Sequence, residues 1–169
     1  MNGENVVRIL VTVTIFFAVS GFECARADQK IDRMTIDAME VFTTDTLTWK
    51  DEPILPKGAK SALLVGDPNK AGVLIAYLKF PPHYEIPPHT HPFAEVITVL
   101  RGNLGNGMGE KFEAQKGKLL KAGSSFTLPA DHAHFVWTTE EETIVELIAT
   151  GPWDITYTDP KEDPRNRKK

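Results

Sequence analysis

The sequence predicts an all-β fold, a sandwich or barrel, on three observations. Apolar or β-branched runs recur from residue 40 onward: EVFTTDTLTW, SALLV, VLIAYLKF, EVITVL, SSFTLP, AHFVWTT and TIVELIAT. Clusters of turn-forming residues separate them: GDPNKAG, PPHYEIPPHTHP, RGNLGNGMGE, KAG, PAD and TEEE. Little in between carries the period of a long helix. Short strands at regular intervals between Gly, Pro, Asn and Asp turns are the pattern of β-sandwiches and barrels.

The N-terminus stands apart from this pattern. Arg8 is followed by an apolar run from Ile9 to Val19, too short to span a bilayer comfortably, and then by Ala25-Arg26-Ala27. This reads as a secretory signal peptide cut after Ala27. Glu23 before Cys24 disfavours a lipoprotein signal, and an uncleaved membrane anchor is the alternative. The expectation is an exported protein, periplasmic or secreted, with no stable membrane anchor once cleaved. Cys24 is the one cysteine of the 169 residues and leaves with the leader. The mature chain then has no thiol for a disulfide or a metal, so any metal must be held by His, Asp or Glu. The remainder is long enough for a real core, with about 68–70% of its unfolded surface buried. The expected divisions are a leader at 1–27, an N-terminal arm with strands at 28–60, a barrel at 61–158 and a polar tail at 159–169.

The formal net charge of −4 argues against nucleic acid as a partner. The basic end RNRKK reads as a solvated terminus. KIDRMTIDAMEVF has mixed periodicity, a helical turn or a strand. GDPNKAG is expected to be a hairpin loop, since Gly and Asn supply positive φ. Glu140–Glu142 read as a hairpin tip, where charge is easily solvated. The glycines of RGNLGNGMGEKF do not form a phosphate loop, because the G-K-[ST] ending and a following helix are missing. They are expected to serve tight turns.

Five histidines, His83, His89, His91, His132 and His134, fall in two short windows. His89, His91 and Glu95 stand at i, i+2 and i+6. On one strand all three can face the same way, with Ile97 and Val99 continuing that face into a core. Pro87 and Pro88 stiffen the approach. His132 and His134, again two apart, could share a face beside them. Three neutral imidazoles with a carboxylate are a competent set for a divalent transition metal, and Fe, Mn, Ni, Cu and Zn all accept it.

These residues resemble the cupin superfamily, in particular small exported single-domain members. The first cupin motif, G-x5-HxH-x3,4-E-x6-G, is matched by His89-Thr90-His91, Glu95 and Gly102. The second, G-x5-PxG-x2-H-x3-N, is matched by Gly123, Pro129 and His134. Three positions depart: His83 and Asp131 occupy glycine slots, and Thr138 replaces the final asparagine. The resemblance implies a double-stranded β-helix, or jelly roll, holding a metal through His89, His91, Glu95 and His134, and selects His134 over His132. A homodimer would be ordinary for such a family.

Four protein ligands on an octahedral ion leave about two positions for water, dioxygen or a substrate. The functional expectation is a metal-dependent dioxygenase or related oxidoreductase acting on a small organic molecule. The alternatives are a non-enzymatic metal or small-ligand binding or sensor module, and a metal-assisted isomerase or lyase. His132 is the expected acid–base or supporting group, with His83 a fainter candidate. Of the nearby aromatics, Phe93 shares the parity of His91 and is the expected pocket residue. Phe135 and Trp137 have the parity to face away from the metal, and Tyr84 is another neighbour.

Overall fold

The run VLIAYLKF shows how the sequence builds the core. Within Gly72–Phe80, side chains 74, 76, 78 and 80 are buried while 73, 75, 77 and 79 are not. That period of two is a strand with one face against an interior. In a computed structural model, which describes residues 38–166, eleven such strands form: β1 (Lys50–Asp51), β2 (Lys60–Val65), β3 (Gly72–Phe80), β4 (Glu85–Thr90), β5 (Glu95–Arg101), β6 (Asn103–Met108), β7 (Lys118–Lys121), β8 (Ser125–Leu128), β9 (His134–Thr138), β10 (Thr143–Gly151) and β11 (Thr156–Tyr157). Two short 3-10 turns, Ala114–Lys116 and Pro164–Asn166, complete the secondary structure. The expected leader and its cleavage site lie outside the described residues. No helix among the described residues is long and apolar enough to cross a membrane.

The strands form two antiparallel sheets, ordered β1-β2-β3-β10-β5-β8 and β11-β4-β9-β6-β7. Their inner faces meet in one core of Leu78, Phe80, Ile86, Ile97, Leu104, Val136, Val145 and Leu147, among others. This is the expected jelly roll. Residues 52–59 also belong to it. Leu55 and Ala59 are buried, and the hydroxyls of Tyr84 and Tyr157 donate to the carbonyls of Pro56 and Ile54. The arm is held further by Lys79, whose Nζ lies 4.2 Å from the centre of the Trp49 ring.

Several local expectations change in three dimensions. GDPNKAG does join the antiparallel neighbours β2 and β3, with Gly66 at φ +87°. Glu140–Glu142, by contrast, are not a hairpin tip: β9 and β10 lie in different sheets, so the segment carries the chain between sheets. Gly105 and Gly107 are not turn residues but interior positions of β6. A Cβ at Gly105 would stand 1.9 Å from the Trp137 ring, and one at Gly107 would stand 2.2 Å from the Phe135 ring. The glycines make space for aromatics that pack with Phe112 on the outer face of this sheet. EVFTTDTLTW forms a turn and irregular chain in place of a strand. The polar tail is anchored within the described residues: Arg165 Nη1 bonds Asp154 Oδ1 at 3.0 Å, and its Nη2 bonds the Ile155 carbonyl at 2.8 Å.

The two non-glycine residues in glycine slots are the left-handed ones. His83 has φ +55° and Asp131 φ +59°, the positive-φ non-glycine positions among the described residues. Backbone bonds hold both turns, from His83 N to Thr139 O at 2.8 Å and from Asp131 N to His91 O at 2.9 Å. The turn geometry is retained against a conformational cost of about 1–2 kcal/mol for an L-residue, smaller for Asp. His83 also meets Glu140 at 3.1 Å, but both side chains are exposed and such a pair contributes little. Replacing either residue by glycine relieves strain and adds unfolded-state entropy. We expect Asp131→Gly and His83→Gly each to stabilise by about 0.5 kcal/mol. Thermal unfolding reads this as a raised Tm, and an unchanged or lower Tm would show that these turns carry no strain.

Candidate metal centre

His89 lies near the end of β4 and His134 opens β9. The two strands pair with His89 directly opposite His134, which sets their ring centres 4.2 Å apart. His91 follows β4 by one residue, and its ring stands 4.9 Å from His89 and 5.3 Å from His134. Glu95 opens β5 in the other sheet. The expectation that His89, His91 and Glu95 ride one strand therefore fails. The chain crosses between sheets over residues 91–94, and it is this crossing, not strand parity, that brings Glu95 beside the histidines. All four side chains are buried, at 2–6% exposure.

The hydrogen bonds fix the ring tautomers. Nδ1 of His89 faces the Pro87 carbonyl at 2.7 Å, Nδ1 of His91 the Asp154 carbonyl at 2.8 Å, and Nδ1 of His134 the His132 carbonyl at 3.2 Å. A carbonyl can only accept, so each Nδ1 carries the proton and each Nε2 keeps its lone pair. One ligand atom from each of the three rings lies within 4.8 Å of the others, a group that does not include Glu95. Buried, neutral imidazoles oriented through the far nitrogen suit a divalent metal, and these three histidines can hold one.

Glu95 meets this group from the side. Its Oε1 accepts from the indole N–H of Trp153 at 2.5 Å and lies 3.4 Å from His91 Nδ1. Trp153 also stacks on His91, ring centres 5.5 Å apart and planes 12° from parallel. No feature of the sequence singled out Trp153. It stands 58 residues from Glu95, in no motif, and a tryptophan near the chain end has core packing as its ordinary explanation.

The chamber around these groups is a cavity of about 40 Å³. Beyond the three histidines, Glu95 and Trp153, its walls are hydrocarbon, including Leu55, Phe80, Ile97, Phe126, Val136 and Leu147. His132 is not on the wall. It is exposed, its Nδ1 bonds the Ala130 carbonyl at 2.8 Å, and what it offers the site is its backbone carbonyl. The shared face expected for His132 and His134 does not form, because β9 begins only at His134 and the left-handed Asp131 turns the chain just before. His83 is likewise exposed and away from the chamber. Phe93 is 39% exposed in the 91–94 crossing, where strand parity has no meaning. Phe135 and Trp137 face away from the chamber, as their parity predicts, and Tyr84 stacks on Phe80. Thr138, in the slot of the motif's asparagine, is buried and structural: its hydroxyl donates to the Pro81 carbonyl at 2.7 Å and accepts from Tyr84 N at 2.8 Å.

The described residues form a small domain of cupin fold, with three buried histidines that could hold a metal ion. Residues 20–156 match the family model described as "Domain of unknown function (DUF4437)", and the chain belongs to that family. It is also similar to germin-like protein 8-6 of Oryza sativa subsp. japonica, 39% identical over 95 residues, which are 52% of this chain and 42% of that one. The chain thus spans about two-fifths of that relative's length. Among solved structures it resembles the polyketide cyclase RemF from Streptomyces resistomycificus, with a TM-score of 0.61, 18% identity, and coverage of 75% of this chain and 90% of that one. An RmlC-like cupin from Shewanella frigidimarina gives 0.52 at 18% identity, covering 67% and 91%. At such identities the structural likeness concerns the fold.

Burial sets the electrostatics. Desolvation, together with the neighbouring imidazoles, holds His89 well below the ordinary histidine value of 6.5. Desolvation pushes His91 and His134 down to about 4, and pushes Glu95 up to about 7 against the Trp153 bond. Between pH 6.5 and about 4 the unfolded chain binds protons that the buried histidines refuse, so their contribution to stability is lost as pH falls. Glu95 acts oppositely: folding favours its protonated form, a contribution lost as pH rises from 4.5 through about 7. Three histidines outweigh one glutamate. The metal-free protein should gain stability as pH rises from 4.5 to 6.5, by about 1.4 kcal/mol per pH unit for each net proton. Urea midpoints measured across that range test this, and a flat or falling profile would contradict the neutral buried cluster.

Proposed function

We propose that the protein is a metal-dependent oxidoreductase, of dioxygenase type, acting on a small organic molecule, with His89, His91, His134 and Glu95 as the metal ligands. One observation carries the reading: every polar group on the chamber wall belongs to the ligand set or, like Trp153, bonds to it. No wall residue is left over as a nucleophile or dedicated base, so any reactivity would reside at a bound ion. A redox-active ion held there would supply dioxygen activation and Lewis acidity.

The chain's own part is to bind, orient and exclude water. Backbone carbonyls of Pro87, His132 and Asp154 aim the three rings, and the hydrocarbon walls keep bulk water from the open positions. A space of about 40 Å³ takes only ligands of few atoms. A larger substrate needs movement of the lining side chains. The isomerase or lyase reading is less well supported, because with His132 outside the chamber only Glu95 remains to move a proton. A non-enzymatic metal binder is the stronger alternative, favoured by the same lack of a spare acid–base group. Export with cleavage after Ala27 is part of the proposal and rests on the N-terminal sequence. Asp28 as the first residue of the mature protein is its signature.

Metal analysis of protein purified from its native compartment should find about one equivalent of a transition metal. His89→Ala should lower metal affinity at least about tenfold with the fold retained. Oxygen uptake with phenolic and diketone compounds then separates enzyme from binder. Metal present without oxygen consumption on any of them would transfer the reading to the binding module, and metal-free protein indifferent to His89→Ala would remove the site itself.

A further inference from the structure

The segment Pro152–Ile155, between β10 and β11, touches the ligand set three times. Trp153 donates its indole N–H to Glu95 Oε1, its ring lies flat against His91, and the Asp154 carbonyl accepts from His91 Nδ1. The segment is itself fastened. Trp153 N bonds the Pro68 carbonyl at 2.7 Å, and Arg165 bonds both Asp154 Oδ1 and the Ile155 carbonyl from outside. These bonds fix the loop backbone on which Trp153 stands.

The two oxygens of Glu95 are therefore not equivalent. Oε1 accepts the indole N–H of Trp153 at 2.5 Å and lies 3.4 Å from His91 Nδ1, whose proton goes to the Asp154 carbonyl. A carboxylate oxygen engaged this way is a poorer metal donor, and the geometry favours Oε2 for that role. Carboxylates that bind metals are generally oriented by such outer hydrogen bonds.

We propose that Trp153 is a positioning residue of the metal centre and acts through Glu95. Its indole N–H holds Oε1, which would leave Oε2 as the oxygen free to meet an ion beside the three histidines. The inference rests on the reading of Glu95 and the three histidines as ligands.

The test uses Co(II) as the probe and the full-length protein. Trp153→Phe keeps a ring against His91 and removes the donor. It should weaken Co(II) affinity about 10–100-fold and change the visible d–d band, because the carboxylate becomes free to rotate. In a Glu95→Ala background the same Trp153→Phe change should alter Co(II) affinity less than about twofold, since its target is gone. A residue serving packing alone would show the same loss in both backgrounds, and that result overturns the proposal. So does a Trp153→Phe protein whose affinity and spectrum match the unmodified chain. If Trp153→Phe does not fold, benzothienylalanine at position 153 replaces it, with the same shape and sulfur in place of N–H, and the same criteria apply. Failure of the underlying reading looks different: the unmodified protein takes up no Co(II), or His89→Ala binds it equally well.

Discussion

Three imidazoles share one apolar chamber without charge, and most of the surrounding structure answers to that requirement. A buried histidine needs a partner for its N–H, because an unsatisfied polar group costs about 1–3 kcal/mol in such a place. Two of the three partners are local. His89 uses the carbonyl of Pro87 and His134 that of His132, each two residues earlier. The third is distant: His91 uses Asp154, 63 residues on. The local bonds orient two rings with no help from the rest of the fold. The third ring can be oriented only once β10 is in place and the chain after it has returned to the site. The ligand set is thus complete only in the closed barrel.

Two strained turns stand before the strands that carry these histidines. His83 precedes β4, which carries His89, and Asp131 precedes His134. Both sit in left-handed conformations that glycine would adopt more readily. Asp131 N bonds to His91 O, tying the turn before one ligand to the backbone of another. The strand pairing of His89 with His134 ties the third histidine to them. The spacing between ligands is therefore set by backbone hydrogen bonds, which are stiffer than side-chain packing.

Much of this was legible in the sequence, and the failures share a cause. The apolar runs between turn residues marked β3 and β10 as strands, and the spacing of His89, His91, Glu95 and His134 marked residues that do line one chamber. Strand parity, however, was applied beyond the strands. It placed Phe93 and His132 on the chamber wall, when one lies in the crossing between sheets and the other in a turn. It explained the convergence of Glu95 by one continuous strand, when the chain changes sheets between His91 and Glu95. Local pattern cannot show where a strand stops, because that depends on which sheet captures the next segment. Gly105 and Gly107 illustrate the same limit, since their purpose is set by Trp137 and Phe135 some thirty residues away. Trp153 was invisible for this reason too: its meaning comes wholly from contacts across the barrel.

Trp153 makes the geometry of the ligands and the size of the chamber a single variable. It lines the cavity of about 40 Å³ beside the histidines, and also a second cavity of about 60 Å³ bounded by Glu52, Ser61, Pro68 and Leu74. Leu78 and Leu147 line both as well. The indole is therefore part of the partition between the two spaces while its N–H bonds Glu95. Displacing the ring to admit a larger molecule would release the carboxylate, and holding the carboxylate keeps the ring in place. A substrate small enough to leave Trp153 undisturbed would meet an ordered ligand set. One that moved Trp153 would meet a loosened one. On the proposed function, selection by size and selection by coordination geometry would follow from the same hydrogen bond.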